Sequence, residues 1–116
     1  MEATIVTNEE LKRRLSKLLW KNGFGDDPWR NWRMAELMII DDGFLAWRRQ
    51  ALTLKAMEER GAADSFDYDQ LLSDFLNGIA YWVYATSLAL SWPSHDAATN
   101  WRIAEGLKSW FCAQEF

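Results

Sequence analysis

Between Asp74 and Asp96 the chain carries no Asp, Glu, Lys or Arg. An uncharged run of this length has two ordinary homes, a lipid bilayer or the inside of a helical bundle. A spanning helix wants ~20 mostly apolar residues with basic flanks. Here Asn77, Gly78, Thr86, Ser87 and Ser91 interrupt the run, and Asp69, Asp74 and Asp96 flank it. The segment from about Tyr68 to Ser91 therefore reads as the central helix of a bundle, and no membrane association is expected. Leu71, Leu72, Phe75, Leu76, Ile79, Trp82, Val83, Leu88 and Leu90 make it apolar nearly all round, as in a helix enclosed by others.

Start and stop signals divide the rest of the chain into further helices. Thr7-Asn8-Glu9-Glu10 has the form of a capping box. Leu11, Leu15, Leu18 and Leu19 then repeat at helical spacing, and Gly23 and Gly25 end the pattern. Asp26 or Asp27 can cap a second helix, with Pro28 at its first position, where no backbone donor is needed. Trp29 and Trp32 share a face of its first turns, and Arg33 is spaced to lay its guanidinium over the Trp29 indole.

The stretch "MIIDDGFLAW" (38–47) admits a hairpin about an Asp-Gly turn. The helix formers on either side favour helix, turn, helix. A third helix is expected from Phe44 to about Arg60, with Phe44, Trp47, Ala51 and Leu54 on one face and Gly61 as its stop. Asp67 can cap the fourth helix and Pro93 blocks its continuation. Ser94 then caps a fifth, which carries Trp101, Ile103, Ala104, Leu107, Trp110 and Phe111 on an apolar stripe. The expectation is an all-α bundle of about five helices, forming one domain over residues 1–116.

Charge narrows the partner. The net charge is −4, and it is unevenly spread. Residues 1–60 hold eleven Lys/Arg against ten Asp/Glu, whereas residues 61–116 hold two against seven. A nucleic-acid binder normally shows a basic stripe. This acidic second half suits a basic protein surface instead.

Groups able to do chemistry are sparse. Ser94-His95-Asp96 holds the residue types of a hydrolase triad, but consecutive side chains diverge and cannot form the relay. One histidine makes a His-based metal site improbable by ligand count. Asp64, Asp67, Asp69 and Asp74 lack the glycine and glutamate positions of a calcium loop. Cys112 has no partner for an internal disulfide, which suits a reducing cytosol, and "MEATIVTNEE" carries no signal-peptide pattern. No enzyme activity, cofactor or metal is expected.

Eight tryptophans exceed what a core of this size requires. Trp and Arg are also the residues most enriched in interface hot spots. The expected partner-binding face comprises Trp29, Trp32, Arg33, Asp67, Asp69, Trp101 and Trp110. The expected function is that of a small cytoplasmic, non-enzymatic protein that binds and occludes a protein partner with a basic surface. A homo-oligomeric assembly role and an apolar ligand pocket within the bundle remain open beside it.

In size, single-domain helical build and acidity, the chain resembles the small phage-encoded inhibitors of bacterial defence, such as anti-CRISPR proteins. The resemblance implies a stoichiometric inhibitor of a nucleic-acid-handling protein, for instance a CRISPR surveillance complex or its recruited nuclease. Toxin immunity proteins follow the same logic.

Overall fold

Capping chemistry sets where each helix begins. The computed structural model describes residues 7–92 and 96–114. Among them are five helices and no strand: α1 Asn8–Lys21, α2 Pro28–Ile40, α3 Phe44–Glu59, α4 Phe66–Ala89 and α5 Ala97–Ala113. Thr7 Oγ1 accepts from the Glu10 backbone N–H at 3.1 Å and starts α1. Asp27 accepts from the Trp29 N–H at 2.9 Å and starts α2, with Pro28 at its first position.

Two expected caps are displaced. Ser65, not Asp67, caps α4, its hydroxyl accepting from the Tyr68 N–H at 3.1 Å. Asp67 sits within the first turn, where a carboxylate complements the positive helix end without capping it. Asp96 caps α5, accepting from the Thr99 N–H at 2.7 Å. Pro93, Ser94 and His95, to which the sequence assigned the stop and the cap, lie outside the described residues.

Three helix ends share one closing device. In α1, the Phe24 N–H reaches the Leu19 carbonyl and the Gly23 N–H reaches that of Trp20. In α3, Ala62 reaches Met57 and Gly61 reaches Glu58. In α4, Trp92 reaches Ser87 and Ser91 reaches Leu88. This Schellman pattern needs a left-handed residue just past the cap. Gly23 and Gly61 supply it at φ 85° and 76°, and Ser91 supplies it at φ 57° despite its Cβ.

Residues 38–47 form helix, turn, helix. Gly43 has φ −77°, so the left-handed glycine that a two-residue hairpin demands is absent. The Asp41 carboxylate instead accepts from the Gly43 N–H at 2.8 Å and folds the chain into α3.

The helices pack as two pairs, α1 with α2 and α4 with α5, joined by α3 against α4 and α5 and by α1 against α5. One apolar cluster draws on all five, with Leu15, Leu19, Met38, Leu54, Phe75, Ile79, Ile103 and Phe111 fully enclosed. The molecule measures 42 × 41 × 24 Å. Its thin dimension is about two helix diameters of ~10–12 Å, so every helix keeps an outer face. For that reason α4 is not ringed by other helices. It packs on α3 and α5, and α5, which touches α1, α3 and α4, has the more central place. Among the described residues, no helix is long and apolar enough to cross a membrane.

Among the polar ties between helices, two involve α4. Trp82 Nε1 donates to Asp41 Oδ1 at 3.0 Å, joining α4 to the α2–α3 turn. Glu58 Oε2 accepts from both Tyr68 Oη and Lys108 Nζ at 2.5 Å, joining α3, α4 and α5.

Candidate interaction site

Helix α4 has two apolar stripes rather than one continuous apolar surface. At about 100° per residue, Tyr68, Phe75, Leu76, Ile79, Val83 and Ser87 fall on one side, and all are buried. Phe66, Gln70, Asp74, Asn77, Tyr81, Tyr84 and Leu88 fall on the opposite side within an arc of about 80°; all are exposed, and apart from Phe66 the apolar ones gather at Tyr81, Tyr84 and Leu88. The first stripe serves the core. The second has no helix against it.

Beside that open stripe, α4 and α5 enclose a groove of about 340 Å³ lined by Asn77, Ala80, Tyr81 and Tyr84 from α4 and Ala97, Asn100 and Trp101 from α5. Tyr81 is 70% exposed and Trp101 37% exposed. Asn100 is only 4% exposed, yet its Oδ1 meets no donor among the described residues. An unsatisfied buried amide oxygen costs about 1–3 kcal/mol. The groove lining contains no cation. Arg102, next to Trp101 in the chain, turns away: its Nη2 donates to Thr99 Oγ1 at 3.1 Å and approaches Gly23.

A larger depression of about 450 Å³ lies at the α2–α3 turn, between Leu11, Ile39, Phe44 and Leu45. Asn8, Asp41 and Asp42 supply its polar lining, and the two oxygens of Asp41 already serve Trp82 and Gly43. The α4–α5 groove combines three aromatic residues with a buried amide oxygen that meets no donor, and is the stronger candidate.

The expected partner-face residues are not all brought together. Trp101 lines the groove. Trp29 is 63% exposed and meets Trp92 edge-on, with ring centroids 6.1 Å apart. Gly23 lies against Thr99 and Arg102, so the α1–α2 turn and the start of α5 share one end of the molecule. Trp32 is half-buried beneath Lys12, whose Nζ lies 5.8 Å from the ring centroid. Arg33 is held by Glu36 at 2.5 Å, and the cation that covers an indole nearby is Arg30 over Trp92, at 5.8 Å. Asp67 and Asp69 are exposed at the far end of α4. Asp67 is about 25 Å along the axis from Tyr84 at ~1.5 Å per residue. Trp110 is a core residue, 9% exposed, against Phe44 and Phe111 at 6.4 and 5.3 Å. It shares the buried stripe of Ile103 and Leu107, which removes its ring from any open face.

Sequence reasoning passed over Tyr81, Tyr84, Asn100 and Trp92. A signal for the tyrosines was present. A phenol hydroxyl wants water or a partner, so two tyrosines three apart mark an outward face on a helix whose other side is mostly aliphatic and Phe. Nothing in the sequence marks Asn100, because its isolation depends on what α4 puts opposite it.

Elsewhere, ionisable groups are paired structurally. The hydrogen bond from Lys108, with that from Tyr68, holds Glu58 below the usual carboxylate range. The same bond raises Tyr68 above an ordinary phenol. Burial works against the charge of Lys108, but Glu58 outweighs it and raises the amine. Between α1 and α2, hydrogen bonds from Arg33 and Lys12 lower Glu36. Among the described residues, no group of three or more His, Cys, Asp or Glu is placed to hold a metal ion.

No family model matches the chain, and comparison with curated proteins and with solved structures gives no match either.

Proposed function

We propose that this chain is a non-enzymatic, cytosolic protein that binds and occludes a protein partner, using the outward face of α4 and the first turns of α5. The observation that carries this reading is the open stripe of Tyr81, Tyr84 and Leu88 beside Trp101, on a helix whose opposite stripe already fills the core. Contiguous exposed apolar surface marks interaction sites, and aromatic rings are enriched in their centres. Charge supports a basic partner: α4 carries Asp67, Asp69 and Asp74 and no Lys, Arg or His. A phosphate backbone would be repelled by that helix.

The partner class that fits is a nucleic-acid-handling protein, whose working surface is basic. Stoichiometric inhibition of such a protein is the mode of action implied by the resemblance to anti-CRISPR proteins.

The test compares two tagged proteins in nuclease-treated bacterial lysate, the wild type and the triple variant Tyr81→Ser, Tyr84→Ser, Leu88→Ser. The wild type is expected to retain one protein at near-equal stoichiometry, and the variant to lose it with unfolding temperature unchanged. Elution of the wild type alone as a defined oligomer, or equal retention by the variant, would overturn the reading.

A further inference from the structure

Resting on the occlusion reading, we propose that the α4–α5 groove takes the guanidinium of an arginine side chain on the partner. Three independent features of the groove converge on that group.

Ring faces come first. Tyr81, Tyr84 and Trp101 line the groove. Their negative faces attract a cation, tryptophan most strongly, and arginine is the cation most often found there. A planar guanidinium also stacks on such rings, which a compact ammonium cannot do.

The second feature is charge. The lining holds no cation, and Arg102 is turned towards Thr99 and Gly23. Carboxylates flank one end instead. Asp74 lies one turn from Asn77 on the open stripe of α4, and Glu105 lies one turn from Trp101 on α5. Because α4 and α5 are joined by a short connection and run antiparallel, these two turns lie towards the same end of the groove. Both residues are exposed. An incoming cation therefore meets an acidic rim before it meets the rings.

An acceptor is the third feature. No protein donor holds Asn100 Oδ1. A half-turn of the amide would bring that oxygen into the groove to accept from a guanidinium N–H, with the amide NH2 taking its buried place.

The experiment uses the full chain, labelled with ¹⁵N and titrated with a blocked Gly-Arg-Gly peptide. Parallel titrations use the citrulline, lysine and glutamate counterparts. The Trp101 indole N–H and the Asn100 side-chain amide signals are expected to shift saturably with the arginine peptide. Citrulline keeps the shape of arginine and loses its charge, and should bind about tenfold or more weakly. Tyr81→Ser, at an exposed position that folding does not need, should abolish the shifts, and Trp101→Leu serves as a second variant.

No saturable shift at those two signals, equal binding of citrulline, or full binding by Tyr81→Ser would each overturn the proposal. Its failure is separable from that of the occlusion reading. A partner that is lost from the triple variant while arginine leaves these signals unmoved would sustain occlusion and remove the arginine site. Saturable arginine binding without partner capture would sustain the site and remove occlusion.

Discussion

Phe24 and Trp92 meet edge to face with ring centroids 6.3 Å apart, and each is the second residue past the C-cap of its helix, Asn22 and Leu90. The two Schellman turns that close α1 and α4 therefore lock onto one another. Trp92 also meets Trp29 and lies beneath Arg30, so the ends of α1 and α4 and the start of α2 converge here. The α1–α2 turn also lies against Thr99 and Arg102, which neighbour the groove residues Asn100 and Trp101.

Ser91 is the weak member of the junction. It occupies the left-handed region at φ 57°, where a Cβ costs roughly 1–2 kcal/mol. Ser91→Gly should raise stability by about 0.5–1 kcal/mol, once the added freedom of glycine in the unfolded chain is deducted. Chemical denaturation of the two proteins side by side checks this; a destabilised glycine variant would mean that the Ser91 side chain makes a compensating contact.

Trp82 should act through its indole N–H as well as its bulk. The bond to Asp41 Oδ1 ties α4 to the α2–α3 turn, and the ring lies 5.5 Å from Trp47. Trp82→Phe keeps much of the packing and should cost about 1.5–3 kcal/mol, the range for a hydrogen bond to a charged group. A double-mutant cycle with Asp41→Ala should return most of that as coupling energy. Additive effects would show that the bond contributes nothing to stability.

The Glu58 cluster makes stability depend on pH at both extremes. Glu58 is lowered on folding, so its contribution is complete above its unfolded value near 4.5 and is lost as pH falls through the folded value. Lys108 and Tyr68 are raised, so theirs is complete below their unfolded values and is lost as pH rises through the folded ones. Glu58→Gln should flatten part of the acid-side fall in melting temperature between about pH 3 and 6, with a small change near neutrality, since the pair is partly exposed. An acid limb identical to that of the wild type would place the titration elsewhere, with Glu36 as the next group to vary.

The tryptophans should separate by burial. Trp110→Ala empties part of the core and should cost about 3–5 kcal/mol. Trp29→Ala removes an exposed ring with one edge contact and should cost about 0.5–1.5 kcal/mol. Comparable losses from the two would contradict the burial difference between them.

What could be read from the sequence was local. Thr7, Asp27 and Pro28 announce helix starts, and Gly23 and Gly61 announce stops, because a cap or a left-handed turn is decided by a few neighbouring atoms. The core faces of α1 and α3, and that of α5 apart from the exposed Trp101, followed from spacing alone, because a helix repeats every ~3.6 residues. Competition between near neighbours was harder: Ser65 took the cap that Asp67 could have supplied, and Arg33 found Glu36 rather than an indole.

Only the tertiary structure decided which apolar residues are covered. Phe75 and Tyr81 both lie on an uncharged helix, and their burial differs because α3 and α5 occupy one side of α4 and nothing occupies the other. Trp110 and Trp101, nine residues apart on α5, are separated in the same way. A side chain's hydrophobicity is its own property, but its exposure belongs to its neighbours. The sequence therefore determined the helices and their amphipathic faces, and the packing of five helices into a slab two layers thick decided that one apolar face of α4 would remain open.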